Sequence, residues 1–395
     1  MGALDGVRVL DIGLLVQGPQ AGLLLADMGA DVIKVELPGM GEQSRWIPLS
    51  MEDLRAPYFV GNNRGKRSLT LDLRVDAGAE AFKKVVEAAD VVISNFRPGT
   101  MEGWGLGYDD LAEVNPGIIY GAGSVFGALG PDADREGADL AGQAAGGIIA
   151  TTGRDGGEPT PVGVTIADHI ASQNLAAGVL AALYARERTG RGQRIDVSLV
   201  GGQVFAQAAE ITAYLMTGKV PGRSNQGHPL LNAIYAIFPT ADGHIAIVGV
   251  PPSQKKAFYE AIGRPELDDD PRFQELLPAW DDLKQLFAIL NEVFPTKTTD
   301  EWCQILAATG QRYAPVRDYA QIADDPQMWI NGYLTEAEGA DGTPTKVVGS
   351  PILMSDTPLR PSAVAPELGQ HTEEVLLEAG YSWEEISALR ERGAW

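Results

Sequence analysis

Residues 7–36 read VRVLDIGLLVQGPQAGLLLADMGADVIKVE, and this stretch decides the fold class. Val7 to Ile12 is a short apolar run typical of a buried strand, and the Gly18-Pro19 pair ends it and begins a helix. Gly29 ends that helix, and Asp31 to Glu36 is a second apolar run. The pattern predicts a compact unit of strand, helix and strand.

The same alternation continues beyond a loop rich in Gly, Pro and Arg. Further strands are predicted at Ser68–Leu73, Asp90–Ser94 and Gly117–Tyr120, and a helix at Ala77–Ala89. Strands alternating with helices predict the α/β class, with a Rossmann-like parallel sheet covered on both faces. In such sheets ligands bind at the carboxyl ends of the strands.

The middle of the chain reads as mainly helical. Helices are predicted at Leu140–Ala150, Asp168–Arg188 and Leu199–Met216, with a strand at Ile195–Ser198. From about Pro221 the character changes to a hairpin-like pair followed by acidic helices. We therefore expect a large α/β domain from residues 1–220, a smaller α+β domain from 221–325, and a return to the large domain over 326–395.

The charge of the chain excludes some classes of partner. It carries 31 basic and 53 acidic residues, for a net charge of -22, which argues against nucleic acid as a ligand. Residues 1–100 are nearly neutral, with 11 basic and 13 acidic residues. An anionic small molecule is therefore expected to bind in the first quarter of the chain.

The compartment follows from cysteine usage and apolar runs. Cys303 is the single cysteine, so no intrachain disulfide can form, and no signal peptide pattern is visible. The longest apolar run, around Leu175–Ala185, is about a dozen residues, whereas a bilayer span needs about 20. A cytoplasmic protein without a membrane segment is expected.

Several catalytic motifs are absent from the sequence. There is no GxxxxGK[ST] loop, no GxGxxG after the first strand, no GxSxG and no HExxH. The four histidines have no metal-like spacing. Usual nicotinamide binding, P-loop chemistry and serine hydrolysis are disfavoured, and no metal is expected.

Carboxylate chemistry remains, and Asp168 is well placed for it. This residue stands at the start of a predicted helix, where the helix dipole and free N–H groups are expected to keep its carboxylate ionised. An ionised, partly desolvated Asp can attack an acyl carbon. By position alone, however, an Asp at a helix start is most often an N-cap. Phosphate-pairing candidates in the N-terminal loops, each also readable as a solvated surface charge, are Arg64, Lys66, Arg67, Arg74 and Arg97.

Several motifs in order resemble those of one family. They are LDGVRVLDIG near the start, GADVIKVE (Gly29–Glu36), NNRGKRSLTLDLR (Asn62–Arg74), DVVISNFRPGTMEGWGL (Asp90–Leu106), AGQAAGG (Ala141–Gly147), the stretch from Asp168 to Leu199, and LGQHTEEVL (Leu368–Leu376). Together they resemble the class III coenzyme A transferases over nearly the whole chain.

The resemblance implies an enzyme with a covalent aspartyl intermediate. Asp168 would attack an acyl-CoA thioester to give an aspartyl anhydride, and free CoA would convert this into an aspartyl-CoA thioester, from which CoA passes to a carboxylic acid acceptor. Gln17 and Asp139 are implied as further catalytic residues. Coenzyme A enters as substrate, and no metal is implied.

The resemblance also implies a set of CoA contacts in the first quarter of the chain. They are Val16, Gln17, Leu71, Asp72, Arg74, Asn95, Phe96 and Arg97. Many relatives carry Arg after the second strand to hold the nucleotide end of CoA, but this sequence has Leu37. Arg45, Arg64 or Arg74 is expected to replace it.

Two other functions stay open at this point. The α-methylacyl-CoA racemases share the fold, but they place a His before the Asp of a GHD triplet, and here the triplet is Gly137-Ala138-Asp139. A CoA-binding subunit without catalysis is the other alternative. The resemblance further implies an interlocked homodimer, and residues 225–244 resemble members that use small dicarboxylates of the succinate or mesaconate kind.

Overall fold

The computed structural model describes residues 2–224, 226–274, 278–339 and 342–395. The strands in chain order are β1 (Arg8–Asp11), β2 (Asp31–Glu36), β3 (Arg67–Thr70), β4 (Val91–Ser94), β5 (Ile119–Ser124), β6 (Arg194–Ser198), β7 (Tyr235–Pro239), β8 (His244–Val248), β9 (Tyr313–Pro315), β10 (Leu334–Glu338) and β11 (Pro344–Val348).

The helices in chain order are α1 (Gln17–Asp27), α2 (Pro57–Asn63), α3 (Asp76–Val86), α4 (Thr100–Gly103), α5 (Tyr108–Val114), α6 (Asp139–Ala145), α7 (Ile148–Thr151), α8 (Ile166–Thr189), α9 (Leu199–Ala206), α10 (Ala208–Thr217), α11 (Lys255–Ala261), α12 (Pro271–Gln274), α13 (Trp280–Val293), α14 (Thr299–Ala308), α15 (Tyr319–Asp324), α16 (Pro326–Ile330), α17 (Thr372–Glu378) and α18 (Trp383–Glu391). Within the described residues no helix combines the length and the apolar character that a membrane crossing needs.

The contacts divide the chain into two compact units. The first contains the N-terminal residues to Gly147, Val162–Ala206 and Pro326–Trp395, and the second contains Ile148–Pro161 and Gln207–Asp325. The second unit has its own core around a three-stranded antiparallel sheet ordered β7-β8-β9. Stacked and edge-on rings of Phe238, Phe294 and Trp302 fill that core.

The first unit is built on a parallel six-stranded sheet ordered β3-β2-β1-β4-β5-β6. This sheet confirms the α/β prediction. The strand order reverses direction between β1 and β4, and in open parallel sheets the loops at such a switch point form the ligand crevice. A ligand site is therefore expected at the loops after β1 and β4.

Both faces of the sheet are covered, as the apolar strands require. Alternate side chains of a strand point to opposite faces. Leu10 packs in a cluster with α3, α5 and the two C-terminal helices, whereas Val9 packs in a second cluster with α1 and α8. Both residues are fully buried. The C-terminal segment thus supplies part of the cover of a sheet built from the N-terminal third.

Several predicted elements differ in their bounds from the observed ones, and three of the differences have a clear physical reason. The helix predicted at Leu140–Ala150 breaks at the Gly146-Gly147 pair, where Gly147 has a φ of 91°. The helix predicted at Leu199–Met216 is interrupted at Gln207. Strand β3 ends at Thr70 because the next residues turn away, and the Asp72 N–H donates to the Ala394 carbonyl at 2.7 Å instead of to the sheet.

Candidate active site

The N-terminus of α8 holds the candidate nucleophile. Asp168 is the third residue of α8, so it is not the N-cap, and the N-cap residue Thr165 makes no side-chain capping bond. Asp139, at the start of α6, takes that role from another segment. Its Oδ1 accepts hydrogen bonds from the N–H groups of Ala167 at 2.8 Å and Asp168 at 3.3 Å. Two carboxyl groups therefore meet at one helix terminus.

The Asp168 carboxyl group is half-buried and accepts no hydrogen bond from the described residues. Burial, together with the negative charge of Asp139, raises the pKa of Asp168 to about 7. The raised pKa differs from the expectation that the helix dipole keeps this group fully ionised. The physical reasons are burial first and then the charge of Asp139, which also occupies the first N–H groups of the helix.

His169, the neighbour of Asp168, is engaged in helix packing. Its Nδ1 lies 2.7 Å from Oε1 of Gln20 on α1, and its Nε2 lies 3.3 Å from the Thr165 hydroxyl. The Ser172 hydroxyl donates to the same Gln20 oxygen at 2.7 Å. Burial lowers the pKa of His169, which favours the neutral ring. These bonds hold the first turn of α8 against the first turn of α1.

The N-terminus of α1 presents free donors beside this contact. The N–H groups of Val16, Gln17 and Gly18 donate to no acceptor within the described residues, although all three residues are buried. The Gln17 amide donates to the Ser124 carbonyl at the end of β5, at 3.3 Å. Free N–H groups at a helix start attract negative charge. Gln17, one of the predicted site residues, lies one helical turn before Gln20, which binds His169.

The loop between β1 and α1 is tied to the end of β4. Asn95 accepts a hydrogen bond from the Leu14 N–H at 2.7 Å and donates one to the Leu14 carbonyl at 3.0 Å. The next residue, Leu15, has a φ of 61° and is the one non-glycine residue with a positive φ in the described part of the chain. Such a conformation costs about 1–3 kcal/mol and persists only where the surroundings enforce it.

A cavity of 370 Å³ opens at the carboxyl ends of β1, β2, β3 and β4. Four of the predicted CoA contacts line it together: Leu71, Asp72, Arg74 and Phe96. The remaining lining is mostly apolar and includes Trp104, whose ring meets Phe96 edge-on with centroids 5.3 Å apart. Val16 and Gln17 lie at the start of α1 and Asn95 lies in the loop after β4, all three outside the lining. Arg97 is exposed beside Glu136 at 3.2 Å.

The three arginines expected to replace the family arginine, in whose place this sequence has Leu37, lie in different surroundings. Arg64 is buried in a bidentate pair with Asp27 at 2.6 and 2.8 Å and does not line the cavity. Arg45 makes a bidentate pair with the buried Glu36 at 2.7 and 2.8 Å. Arg74 lines the cavity and is exposed, so it alone of the three offers its charge to a ligand there.

Four buried charged residues lie beneath the loop between β1 and α1, and one of them, Glu42, lines the cavity. Sequence reasoning singled out only Lys66, as a phosphate-pairing or solvated surface charge, and missed the other three. Asp11, Lys34, Glu42 and Lys66 are at most 5% exposed. The Lys66 ammonium is 2.7 Å from Asp11, and Lys34 lies 3.6 Å from Asp11 and 3.8 Å from Glu42. A signal was present for two of them, because Asp11 and Lys34 interrupt otherwise apolar strands. Charges are almost never buried unless they are paired.

The environment shifts the ionisation of this cluster. Burial opposes the ionisation of Asp11, but the charges of Lys34 and Lys66 outweigh it and lower its pKa. Burial lowers the pKa of Lys66 to about 8, partly offset by Asp11. Burial raises the pKa of Glu42. Over the described ranges, no group of His, Cys, Asp and Glu side chains is arranged to hold a metal ion.

Comparisons with known proteins identify the family of the chain. Residues 4–372 match the family described as CoA-transferase family III. The chain is 39% identical to the succinyl-CoA:mesaconate CoA-transferase of Haloarcula hispanica, with 96% of this chain and 97% of that protein aligned. It is 34% identical to the succinate–glutarate CoA-transferase of Agrobacterium fabrum, with 95% of each chain aligned.

A solved structure is similar over the same length. The crystal structure of a CAIB/BAIF family protein from Brucella suis superposes with a TM-score of 0.84 at 34% identity, covering 96% of this chain and 99% of that one. The earlier resemblance is thereby confirmed. The chain belongs to CoA-transferase family III, and it is an enzyme that transfers coenzyme A between acyl-CoA and carboxylic acids.

Proposed function

We propose that Asp168 carries the acyl group and then CoA during transfer. An oxygen of its carboxylate attacks the thioester carbon of the donor, the C–S bond breaks, and a mixed anhydride and CoA thiolate result. The thiolate attacks the Asp168 carbonyl carbon, which releases the donor acid and leaves an aspartyl-CoA thioester. The acceptor carboxylate attacks the carbonyl carbon of that thioester, which forms a second anhydride and releases CoA thiolate. The thiolate then attacks the acceptor's acyl carbon, which gives the product acyl-CoA and releases the Asp168 carboxylate.

The observation that carries this proposal is the state of the Asp168 carboxyl group. It is half-buried, accepts no hydrogen bond within the described residues, and has a pKa raised to about 7. A desolvated carboxylate with unused lone pairs is a stronger nucleophile than a solvated one, and near pH 7 a large fraction is ionised. Asp139 acts on the reaction by holding the first turn of α8 and by its charge.

The N-terminus of α1 supplies the expected electrostatic stabilisation. Each step generates an oxyanion at a carbonyl oxygen, and free N–H groups in a site that excludes water are suited to stabilise it. The N–H groups of Val16, Gln17 and Gly18 are such donors, with the Gln17 side chain held at the end of β5. We assign them this role.

Coenzyme A is proposed to bind along the carboxyl edge of the sheet. Leu71, Phe96 and the other apolar lining residues suit the adenine ring and the pantetheine chain, and Arg74 suits a phosphate. Asp72 holds Arg74 in a bidentate pair at 2.7 and 2.8 Å. Val16, Gln17 and Asn95 border the thioester end, and Arg97 provides a further positive charge at the surface.

The substrates are proposed from the relatives. Those described as succinyl-CoA:mesaconate and succinate–glutarate CoA-transferases act on short dicarboxylic acids. We propose succinyl-CoA as donor and a short dicarboxylate as acceptor. Residues 226–244 belong to the segment that carried this expectation from the sequence, and Asn225 lies outside the described residues.

We also propose a cytoplasmic homodimer, as the family resemblance implies. A dimer would have twice the 42.0 kDa mass of the chain, and sedimentation equilibrium measures this directly. A mass that stays at one chain across micromolar concentrations would contradict it.

The mechanism is tested by trapping the intermediate. The protein is mixed with a panel of acyl-CoAs that includes succinyl-CoA and quenched with hydroxylamine, and the peptides are analysed by mass spectrometry. We expect a hydroxamate on Asp168 in the wild type and none in Asp168→Ala or Asp168→Asn, both of which should lose CoA transfer.

Other outcomes would overturn the proposal. Exchange of the donor's α-proton with deuterated water, without any adduct, would indicate racemase chemistry instead, although Ala138 offers no acid or base in the second position. CoA binding with neither adduct nor exchange across the panel would indicate a non-catalytic CoA-binding subunit.

A further inference from the structure

The loop that joins β1 to α1 has its main chain bonded by side chains at successive residues. The Gly13 N–H donates to Asp11 Oδ1 at 2.8 Å, and the Gly13 carbonyl accepts from the Lys34 ammonium. Both main-chain groups of Leu14 are bonded by Asn95. The Leu15 N–H donates to Glu42 Oε2 at 2.9 Å. The loop is therefore held from three sides before it reaches the free donors of α1.

Glu42 makes the last of these contacts before the site. It is 2% exposed and precedes a short 3-10 helix at Gln43–Trp46, so it approaches from the loop after β2. Its own N–H donates to Glu36 Oε2 at 3.1 Å, which fixes its main chain. Its second oxygen, Oε1, is buried and has no hydrogen-bond partner among the described residues.

The residue that Glu42 binds is the strained one. Leu15 adopts a φ of 61°, a region that L-residues avoid unless contacts enforce it. The main-chain direction at Leu15 determines where the N–H groups of Val16 and Gln17 point, because they follow it directly in the chain. A contact at Leu15 therefore directly affects the orientation of those N–H donors.

The charge of Glu42 also belongs to the cluster beneath the loop. Two carboxyl groups, Asp11 and Glu42, face two ammonium groups, Lys34 and Lys66, in a buried volume. Removing one member of such a set leaves an uncompensated buried charge. Loss of Glu42 would leave Asp11 alone to compensate the two ammonium groups, and one of these, Lys34, bonds the Gly13 carbonyl in the same loop.

We propose that Glu42 is a positioning residue for CoA transfer: by accepting the Leu15 N–H it holds the start of α1 so that the free N–H groups of Val16 and Gln17 meet the oxyanion. This inference rests on the proposed function of those donors. It assigns a role in catalysis to a residue outside the expected set of CoA contacts.

The test compares three variants with the wild-type enzyme. Glu42→Ala removes the acceptor, Glu42→Gln retains an acceptor oxygen without the charge, and Asp27→Asn removes a different buried carboxylate at the far end of α1. The measured quantities are kcat, KM for succinyl-CoA, the rate of hydroxamate formation on Asp168, and the thermal midpoint.

We expect Glu42→Ala to lower kcat by about 10- to 100-fold, with KM changed by less than about threefold, because misaligned oxyanion donors act on the transition state. Hydroxamate formation on Asp168 should slow by the same factor. Glu42→Gln should recover most of kcat. Asp27→Asn should lower the thermal midpoint and leave kcat unchanged.

Two results would overturn the inference. One is a Glu42→Ala variant whose kcat, measured at a temperature below its thermal midpoint, equals that of the wild type. The other is a Glu42→Gln variant that folds but is as slow as Glu42→Ala, because charge rather than the bond to Leu15 would then be responsible. Failure of the proposed function is recognised separately, since the wild type itself would then give no Asp168 hydroxamate.

Discussion

At the scale of single residues, the pair Asp168 and Asp139 determines the chemistry of the site. One carboxyl group accepts the helix N–H groups, and the other is left half-buried without a hydrogen bond from the described residues. Two nearby carboxyl groups with different surroundings commonly divide the roles of structure and catalysis. This difference supports the roles proposed above, which are nucleophilic attack for Asp168 and helix capping for Asp139.

The pH dependence of the reaction follows from this pair. In the proposed mechanism the carboxylate form of Asp168 attacks, so kcat/KM should rise as pH increases through about 7, the pKa of that group. Asp139→Asn removes the repelling charge but keeps an acceptor oxygen for the N–H of Ala167. Its profile should shift to lower pH, so activity at pH 6 relative to the plateau should increase by about two- to fivefold.

Asp139→Ala is the matched comparison, because it also removes the cap and should lower the free energy of unfolding by about 0.5–2 kcal/mol. Steady-state kinetics from pH 5 to 9 and urea denaturation measure the two effects. An Asp139→Asn profile that coincides with the wild type would contradict the assignment of Asp139 as a source of the raised pKa.

At the scale of elements, the site depends on close packing of three helices. A Cβ built on Gly142 of α6 would lie 2.6 Å from Cβ of Leu199 on α9 and 3.1 Å from Cβ of Ala167 on α8. Glycine therefore allows α6 to approach α8 closely enough for Asp139 to reach its first N–H groups. The break at Gly146-Gly147 ends α6 just beyond this contact.

Gly142→Ala should force these helices apart. We expect the free energy of unfolding to fall by about 1–3 kcal/mol through overpacking, and hydroxamate formation at Asp168 to slow because its helix terminus moves. Gly61→Ala in α2 is the control, since nothing lies within 4 Å of its Cβ position. It should be neutral or stabilising by up to about 1 kcal/mol. Equal stability of the two variants would contradict the packing argument.

At the scale of the whole molecule, the first unit combines distant parts of the chain. Arg67 of β3 pairs with Glu374 and Glu378 of α17, and the Thr70 N–H donates to the Thr372 hydroxyl at 3.0 Å. The Ala394 carbonyl accepts from Asp72 beside the cavity. The last residues of the chain therefore complete both the sheet cover and the turn proposed to contact CoA.

The returning segment should unfold together with the sheet. Leu376 is fully buried in the cluster that contains Leu10, whereas its neighbour Leu377 is 37% exposed. Leu376→Ala should lower the free energy of unfolding by about 2–5 kcal/mol, and Leu377→Ala should lower it by less than about 1 kcal/mol. Urea denaturation followed by fluorescence and circular dichroism measures this. A Leu376→Ala variant as stable as Leu377→Ala would show that the segment does not support the sheet.

The sequence by itself predicted the alternation of strands and helices over about the first 120 residues and the edge of the sheet where a ligand is expected. Asp168 as the candidate nucleophile came from the family resemblance, because its position alone fits a helix N-cap. Apolar runs, glycine breaks and residues just past strand ends are local signals, because each depends on the conformation of a few consecutive residues. The bounds of β2, Asp31–Glu36, were predicted to the residue, from the apolar residues Val32, Ile33 and Val35 that follow the helix-ending Gly29.

Only the tertiary structure decided the electrostatics of the site. Asp139 and Asp168 are 29 residues apart, so no local pattern shows that one caps the helix of the other and raises its pKa. The same holds for Glu42 and Leu15, which lie in the loops after two different strands, β2 and β1. It also holds for Arg64, which pairs with Asp27 instead of lining the cavity. Burial and distance between charges are properties of the folded arrangement, because both depend on which segments exclude water from each other.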